Sequence, residues 1–171
     1  ALDLLAGCLK GAGFACTRLR IGEGEERIDN IFAIWGEGER HFGFNGHIDV
    51  VPAGDAGAWT HQPFGAVMED GRLYGRGAVD MKGGVAAFIT AAIEWIAAGA
   101  SPTDARISLL ITGDEEGDAI NGTRPMLEWV ANKGLMADVF LVGEPTNPGA
   151  IGDVIKHGRR GSLSGELTVH G

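Results

Sequence analysis

Four short fragments of this chain set acids and one imidazole where an apolar run has just ended. They are Gly46-His47-Ile48-Asp49, Gly77-Ala78-Val79-Asp80-Met81-Lys82-Gly83-Gly84, Asp114-Glu115-Glu116-Gly117 and Gly143-Glu144-Pro145-Thr146. In open α/β sheets the chemistry collects in the crevice beyond the carboxyl ends of the strands. One imidazole and several carboxylates converging there form a ligand set for zinc or another divalent ion, which points to metal-dependent hydrolysis.

Each fragment also has a plainer reading. His47 and Asp49 stand two apart at a strand end, so their side chains share a side. A ligating imidazole needs its second ring nitrogen held, commonly by a carboxylate. The same pair would equally make a buried histidine–aspartate contact without metal. Asp80, flanked by Gly75, Gly77, Gly83 and Gly84, reads as a bridging ligand or as the N-cap of the following helix. Glu115 and Glu116 are like charges that repel unless a cation or proton intervenes. One of such a pair can hold metal while the other accepts a proton; the alternative is a solvated acidic loop. Glu144 follows its apolar run in the same manner. The four fragments together favour metal.

The other polar candidates carry less. His61 lies in a long loop and is read as surface or as a substrate contact, and His41 as ordinary surface. Arg159 and Arg160 form a basic spot able to grip a carboxylate through a planar fork, or a solvated strand edge. Cys8 is assigned to the apolar face of the first helix. The two cysteines, Cys8 and Cys16, fit reduced thiols rather than a disulfide framework or a structural zinc site.

The elements that must position these residues follow from periodicity and glycine punctuation. A helix opens the chain and ends near Gly11. Strands are expected over 14–21, 30–36 and 41–46, with Gly36-Glu37-Gly38-Glu39-Arg40 joining the last two as a hairpin, so the sheet is expected to be mixed. The stretch 52–76 should hold a small hairpin, 66–68 with 72–74. A helix over 82–98 is apolar nearly all round and is expected to be largely buried. Residues 105–112 read as a central strand covered on both faces, 123–132 as a helix, and 138–142 as another buried strand. From 155 the pattern changes, and 163–169 alternates as a strand with one buried face.

Composition sets outer bounds. The 171 residues are 44% hydrophobic, enough for one sizeable core. A net charge of -9 disfavours nucleic acid as partner, and no apolar run is long enough for a membrane span. The chain starts inside a helix without an initiator Met and stops as a strand finishes, so both ends read as cut.

GHIDVVP (46–52), GRGAVDMKGG (75–84), TGDEEGDAINGT (112–123), GEPT (143–146) and IKHGRRGSLSGELTVHG (155–171) together resemble the dinuclear zinc exopeptidase/deacylase family. The resemblance implies a three-layer αβα catalytic domain with a mixed sheet over 1–154. It makes 155–171 the start of an inserted α+β dimerisation domain. It implies two divalent ions, zinc first, with cobalt or manganese also suited. His47 and Glu144 would hold one ion and Glu116 the other. Asp80 would bridge them, with a cis peptide to Met81. Glu115 would be the general base, and Asp49 would hold the His47 ring. Arg159 and Arg160 would contact substrate.

The implied reaction is hydrolysis of the succinyl amide of N-succinyl-LL-2,6-diaminopimelate, within lysine and cell-wall precursor synthesis. Alternatives are deacetylation of N-acetylornithine, a related aminoacylase or carboxypeptidase, or a non-catalytic metal-binding relative. The resemblance further implies a cytoplasmic homodimer acting on a small N-acyl amino acid. Another histidine ligand would come from a C-terminal segment and an oxyanion-side histidine from the partner subunit. The stretch given is therefore expected to be weakly active or inactive alone.

Overall fold

The computed structural model describes residues 1–158, 161 and 165–169. Helix α1 (Leu2–Gly11) leads into strands β1 (Ala15–Ile21), β2 (Ile28–Trp35) and β3 (His41–His47). A long loop carries the two-stranded ribbon β4 (Val67–Glu69) and β5 (Arg72–Tyr74). Helix α2 (Gly83–Ala97), strand β6 (Arg106–Thr112), helix α3 (Thr123–Asn132) and strand β7 (Val139–Val142) follow. The main sheet runs β1-β2-β6-β3-β7. β1 with β2 and β2 with β6 are antiparallel, while β6 with β3 and β3 with β7 are parallel.

Three layers follow from alternation along the strands. On one face Ile31, Ala33, Trp35, Ile107, Leu109 and Ile111 pack with Leu9 of α1 and Val85, Ile89 and Ala92 of α2. On the other, Phe32 and Leu110 pack with Met126 and Val130 of α3. Each Val, Leu, Ile, Phe or Met among them taken fully from water stabilises the fold by roughly 1.5–3 kcal/mol. β6 lies at the centre and is covered on both faces, as its apolar run requires.

Five sequence expectations are corrected here. β2 and β3 are not a hairpin, because β6 occupies the slot between them. The glycines between them serve a different purpose. A Cβ at Gly36 would collide with the Ala105 carbonyl, and one at Gly38 with the Asp104–Ala105 backbone. Those glycines admit the segment leading into β6, which is fastened by Glu37 N–H to the Pro102 carbonyl (2.7 Å) and Arg106 N–H to the Arg40 carbonyl (2.9 Å).

α2 buries one face only; Ala86, Ala87 and Ala91 are exposed, and Trp95 is 44% exposed while meeting Trp35 edge-on. Among the described residues β7 is an edge strand rather than a buried one, with Val139, Leu141 and Val142 exposed. Cys8 faces solvent rather than the core. Residues 155–158, 161 and 165–169 form no strand, since no described strand lies beside them to pair with.

The long loop is pinned from within. Trp59 Nε1–H donates to the Ala53 carbonyl (2.9 Å), and the Arg76 guanidinium lies over the Trp59 ring. His61 is half-buried against Tyr74, with Nε2 3.2 Å from Glu69 Oε2, so it ties the loop to the β4–β5 ribbon. No helix among the described residues is long and apolar enough to cross a membrane.

Candidate metal centre

β3 ends at His47, whose ring is buried (1% exposed). Ring Nδ1 lies 3.1 Å from the Asp49 backbone carbonyl and 3.4 Å from Asp49 Oδ1. A carbonyl oxygen only accepts, so Nδ1 carries the hydrogen and Nε2 is left with its lone pair in the neutral ring. Around Nε2 stand Asp80 Oδ1 at 3.1 Å, Glu144 Oε1 at 3.6 Å and Glu115 Oε2 at 3.8 Å. A lone pair facing three carboxylates needs a cation among them, either a proton or a metal ion.

The protonation tendencies agree. Burial pulls the His47 pKa down, but the Asp49 carbonyl and the charges of Glu144, Asp80 and Asp49 outweigh it, and the net shift is upward. Glu144 is also shifted upward, by burial first and then by the negative charge of Asp80. Both shifts favour the protonated form, the direction that crowded negative charge produces around a buried imidazole and carboxyl.

Two sets of donor atoms lie within 4.8 Å of one another: His47 with Asp80 and Glu144, and His47 with Glu115 and Glu116. An imidazole with carboxylates suits a divalent transition ion, and the residues present fit one. The first set is the trio expected for one ion. The second differs from expectation in including Glu115, which stands nearly as close to His47 as Glu144 does.

The acids are delivered by several different elements. Asp80 precedes α2 at a cis peptide to Met81, whose buried side chain accepts the His47 backbone N–H at Sδ (3.3 Å). A Cβ on Gly84 would stand 2.5 Å from the Gly143 carbonyl oxygen, so glycine there lets the start of α2 meet the exit of β7 and brings Asp80 near Glu144. Glu115 and Glu116 follow β6. Lys82, also near Asp49, has its pKa lowered by burial, partly offset by the Asp49 charge.

All six acids and imidazoles expected at the centre are gathered there. Asp49 does more than face the ring, since its Oδ2 accepts the backbone N–H groups of Glu115 (2.9 Å) and Glu116 (2.8 Å). His61 is not among them, and Arg159 and Arg160 lie outside the described residues. His41 is a correction: it is buried (4% exposed), with Nε2 2.8 Å from Ser108 Oγ at the other end of the sheet. Sequence reading also passed over Asn30 and Thr112, buried polar residues beside apolar neighbours. A polar side chain inside an apolar run demands buried partners, and that signal was available.

A cavity of about 510 Å³ opens beside Glu115 and Glu144, bordered by Asn45, Thr123 and Arg124. A larger apolar groove of about 710 Å³, along Phe42, Phe88, Trp95 and Val139, lies toward the opposite strand ends and holds none of these acids.

Fold and site together describe an α/β protein that gathers a ligand set suited to divalent metal at one end of its sheet. The model of peptidase family M20/M25/M40 matches residues 43–169, and the chain belongs to that family. It is 58% identical to a succinyl-diaminopimelate desuccinylase of Rhodospirillum centenum over 172 residues, which is 100% of this chain and 44% of that protein. It is 53% identical over 173 residues to the one of Ruegeria pomeroyi, with the same coverage. The chain thus spans less than half the length of these relatives.

Among solved structures it resembles human carnosine dipeptidase 1, with TM-score 0.70 and 27% identity over 82% of this chain and 31% of that one. An M20-family metallo-carboxypeptidase of Sulfolobus solfataricus shares the fold, with TM-score 0.67 and 21% identity over 82% of this chain and 31% of that one.

Proposed function

We propose that the full-length protein hydrolyses the succinyl amide of N-succinyl-LL-2,6-diaminopimelate to succinate and LL-2,6-diaminopimelate. The tautomer-fixed His47, with Nε2 facing Asp80, Glu144 and Glu115, carries the metallohydrolase part of this reading. The relatives named for that activity support the substrate.

In this reading His47, Asp80 and Glu144 would hold one divalent ion, and Asp80 with Glu116 would hold a second. Zinc is the first choice over cobalt or manganese. Bound metal supplies Lewis acidity that polarises the scissile carbonyl and acidifies water. Glu115 accepts a proton from the attacking water as the new C–O bond forms, then returns it to the amine nitrogen as the C–N bond breaks. Asp49 keeps Nδ1–H of His47 engaged and holds the backbone of the Glu115–Glu116 pair. Arg159 and Arg160 serve the succinyl or amino-acid carboxylate. Residues 155–171 begin a second, dimerisation domain, and the assembly is a cytoplasmic homodimer; the two free thiols fit a reducing compartment.

The test uses full-length protein stripped by chelator and reloaded with zinc. The expected result is a chelator-sensitive preference in kcat/KM for the succinyl substrate over N-acetylornithine. Preference for the acetyl substrate overturns the specificity. Glu115→Gln should retain metal and lower kcat by roughly 10²–10⁴-fold; loss of metal instead would make Glu115 a ligand, as its distance to His47 allows.

A further inference from the structure

Between β6 and α3 the chain carries Glu115 and Glu116 on backbone that is neither helix nor strand. Such a segment holds side chains in place only if its own N–H and C=O groups are fixed. In its middle, Asp49 Oδ2 takes the N–H groups of Glu115 and Glu116. Near its exit, the Asp114 carboxylate folds the segment on itself by accepting Ala119 N–H (3.2 Å) and Asn121 N–H (2.8 Å).

The tie between entry and exit comes from β2, a strand that brings no acid or imidazole to the centre. Asn30 is wholly buried (0% exposed). Its Oδ1 accepts from Thr112 Oγ1–H (2.7 Å) and Gly113 N–H (3.3 Å), and its Nδ2 donates to the Asn121 carbonyl (3.0 Å). Longer Nδ2 contacts reach the Leu19 and Ile28 carbonyls at 3.4 and 3.5 Å. Thr112 Oγ1 in turn accepts the Asp114 N–H (3.0 Å). The amide orientation is forced, because an N–H donor meets one end and a carbonyl the other.

We infer that Asn30 is a positioning residue for Glu115 and Glu116, its carboxamide clamping Thr112–Gly113 to Asn121 across the base of the loop that presents both acids. The inference rests on the reading of those acids as base and metal ligand. Only a neutral amide meets all the requirements of the position. A carboxylate would set oxygen against the Asn121 carbonyl and add buried negative charge behind four acids. Leucine would leave the Thr112 hydroxyl, the Gly113 N–H and the Asn121 carbonyl unpaired. Asn30 touches neither metal nor substrate in this scheme; it acts through the backbone.

The experiment is cobalt titration of the full-length protein followed by visible absorption, with circular dichroism used to choose a temperature at which each variant is folded. Asn30→Leu is expected to change the cobalt bands and weaken at least one binding step about tenfold, the low end for partners behind the ligands. Thr112→Val, close in shape, should shift the same bands less. A folded Asn30→Leu protein with wild-type bands and affinity overturns the clamp. If that variant does not fold, Thr112→Val decides, and wild-type behaviour there overturns it. Failure of the unmutated protein to bind cobalt sinks the metal reading and the clamp with it. Cobalt binding by wild type and variants alike sinks the clamp alone.

Discussion

Strands β6 and β7 both run parallel to β3 and both hand carboxylates toward His47, yet their surroundings are opposite. β6 is flanked by β2 and β3 and is buried from Ile107 to Thr112. Among the described residues β7 pairs with β3 alone, and its Val139 and Leu141 are 55% and 47% exposed. Beyond β6 the backbone is fixed by Asn30, Asp49 and Asp114. Beyond β7 the fixings are the Gly143 N–H to the Asn45 carbonyl (3.2 Å) and the Thr146 hydroxyl to the Glu144 carbonyl (3.0 Å). Among the described residues, one side of the centre is built into the interior and the other stands at the edge of the sheet, so within them the two acids beyond β6 have more of the core behind them than Glu144 has.

The largest effect should come from the core itself. Leu110→Ala, at a position with 0% exposure between Phe32, Met126 and Val130, is expected to cost about 3–5 kcal/mol in urea unfolding, and Leu141→Ala under about 1 kcal/mol. Equal costs would break the contrast between the strands.

Glu144→Gln sharpens it next. Burial and the Asp80 charge raise the Glu144 pKa, so its ionised form is less favourable folded than unfolded. The stability tied to its proton is present below the unfolded value of 4.5 and is lost as pH rises through the folded one. At neutral pH the metal-free Gln variant should therefore melt higher than wild type while binding zinc more weakly. An unchanged or lower melting temperature would mean that the carboxylate is already relieved at the edge.

The smallest effect belongs to His41, which joins β3 to both neighbours. Burial first, then the Arg106 charge, lowers its pKa against the Met136 carbonyl and Asp138. A depressed group contributes stability above its unfolded value of 6.5 that is lost as pH falls toward the folded one. Wild type should lose stability below about pH 6.5 more steeply than His41→Gln. Identical slopes in thermal melts would remove His41 from the account.

Most acids of the centre were legible because they follow an apolar strand, a local pattern; Asp80 is the exception, since it precedes α2 and no strand of the main sheet leads into it. The helices, the β4–β5 ribbon and the central place of β6 were legible for the same reason. The pairing of β2 with β6 left no local trace. Gly36 and Gly38 looked like turn residues, whereas their need is to clear the backbone at 104–105. The apolar character of α2 spoke of helix but not of how much neighbouring structure covers it, and β7 misled in the same way. His41 passed for surface because its partners, Ser108 and Asp138, are distant in sequence. Asn30 was hidden by its company, a small amide in a hydrophobic strand.

The slot that β6 fills has a consequence for how the chain reaches this arrangement. β2 and β3 are consecutive in sequence but stand one strand apart, so the sheet cannot close until a segment made some sixty residues after β3 arrives between them. Contacts between sequence-distant segments are entropically slow to form. In a growing chain that has released only β1, β2 and β3, the facing edges of β2 and β3 are both unsatisfied, and each is a template for wrong pairing until β6 is threaded in. The tight passage at Gly36 and Gly38 helps to define which partner fits. Glu115 and Glu116 follow β6, so their approach to His47 at the end of β3 waits on the same late pairing.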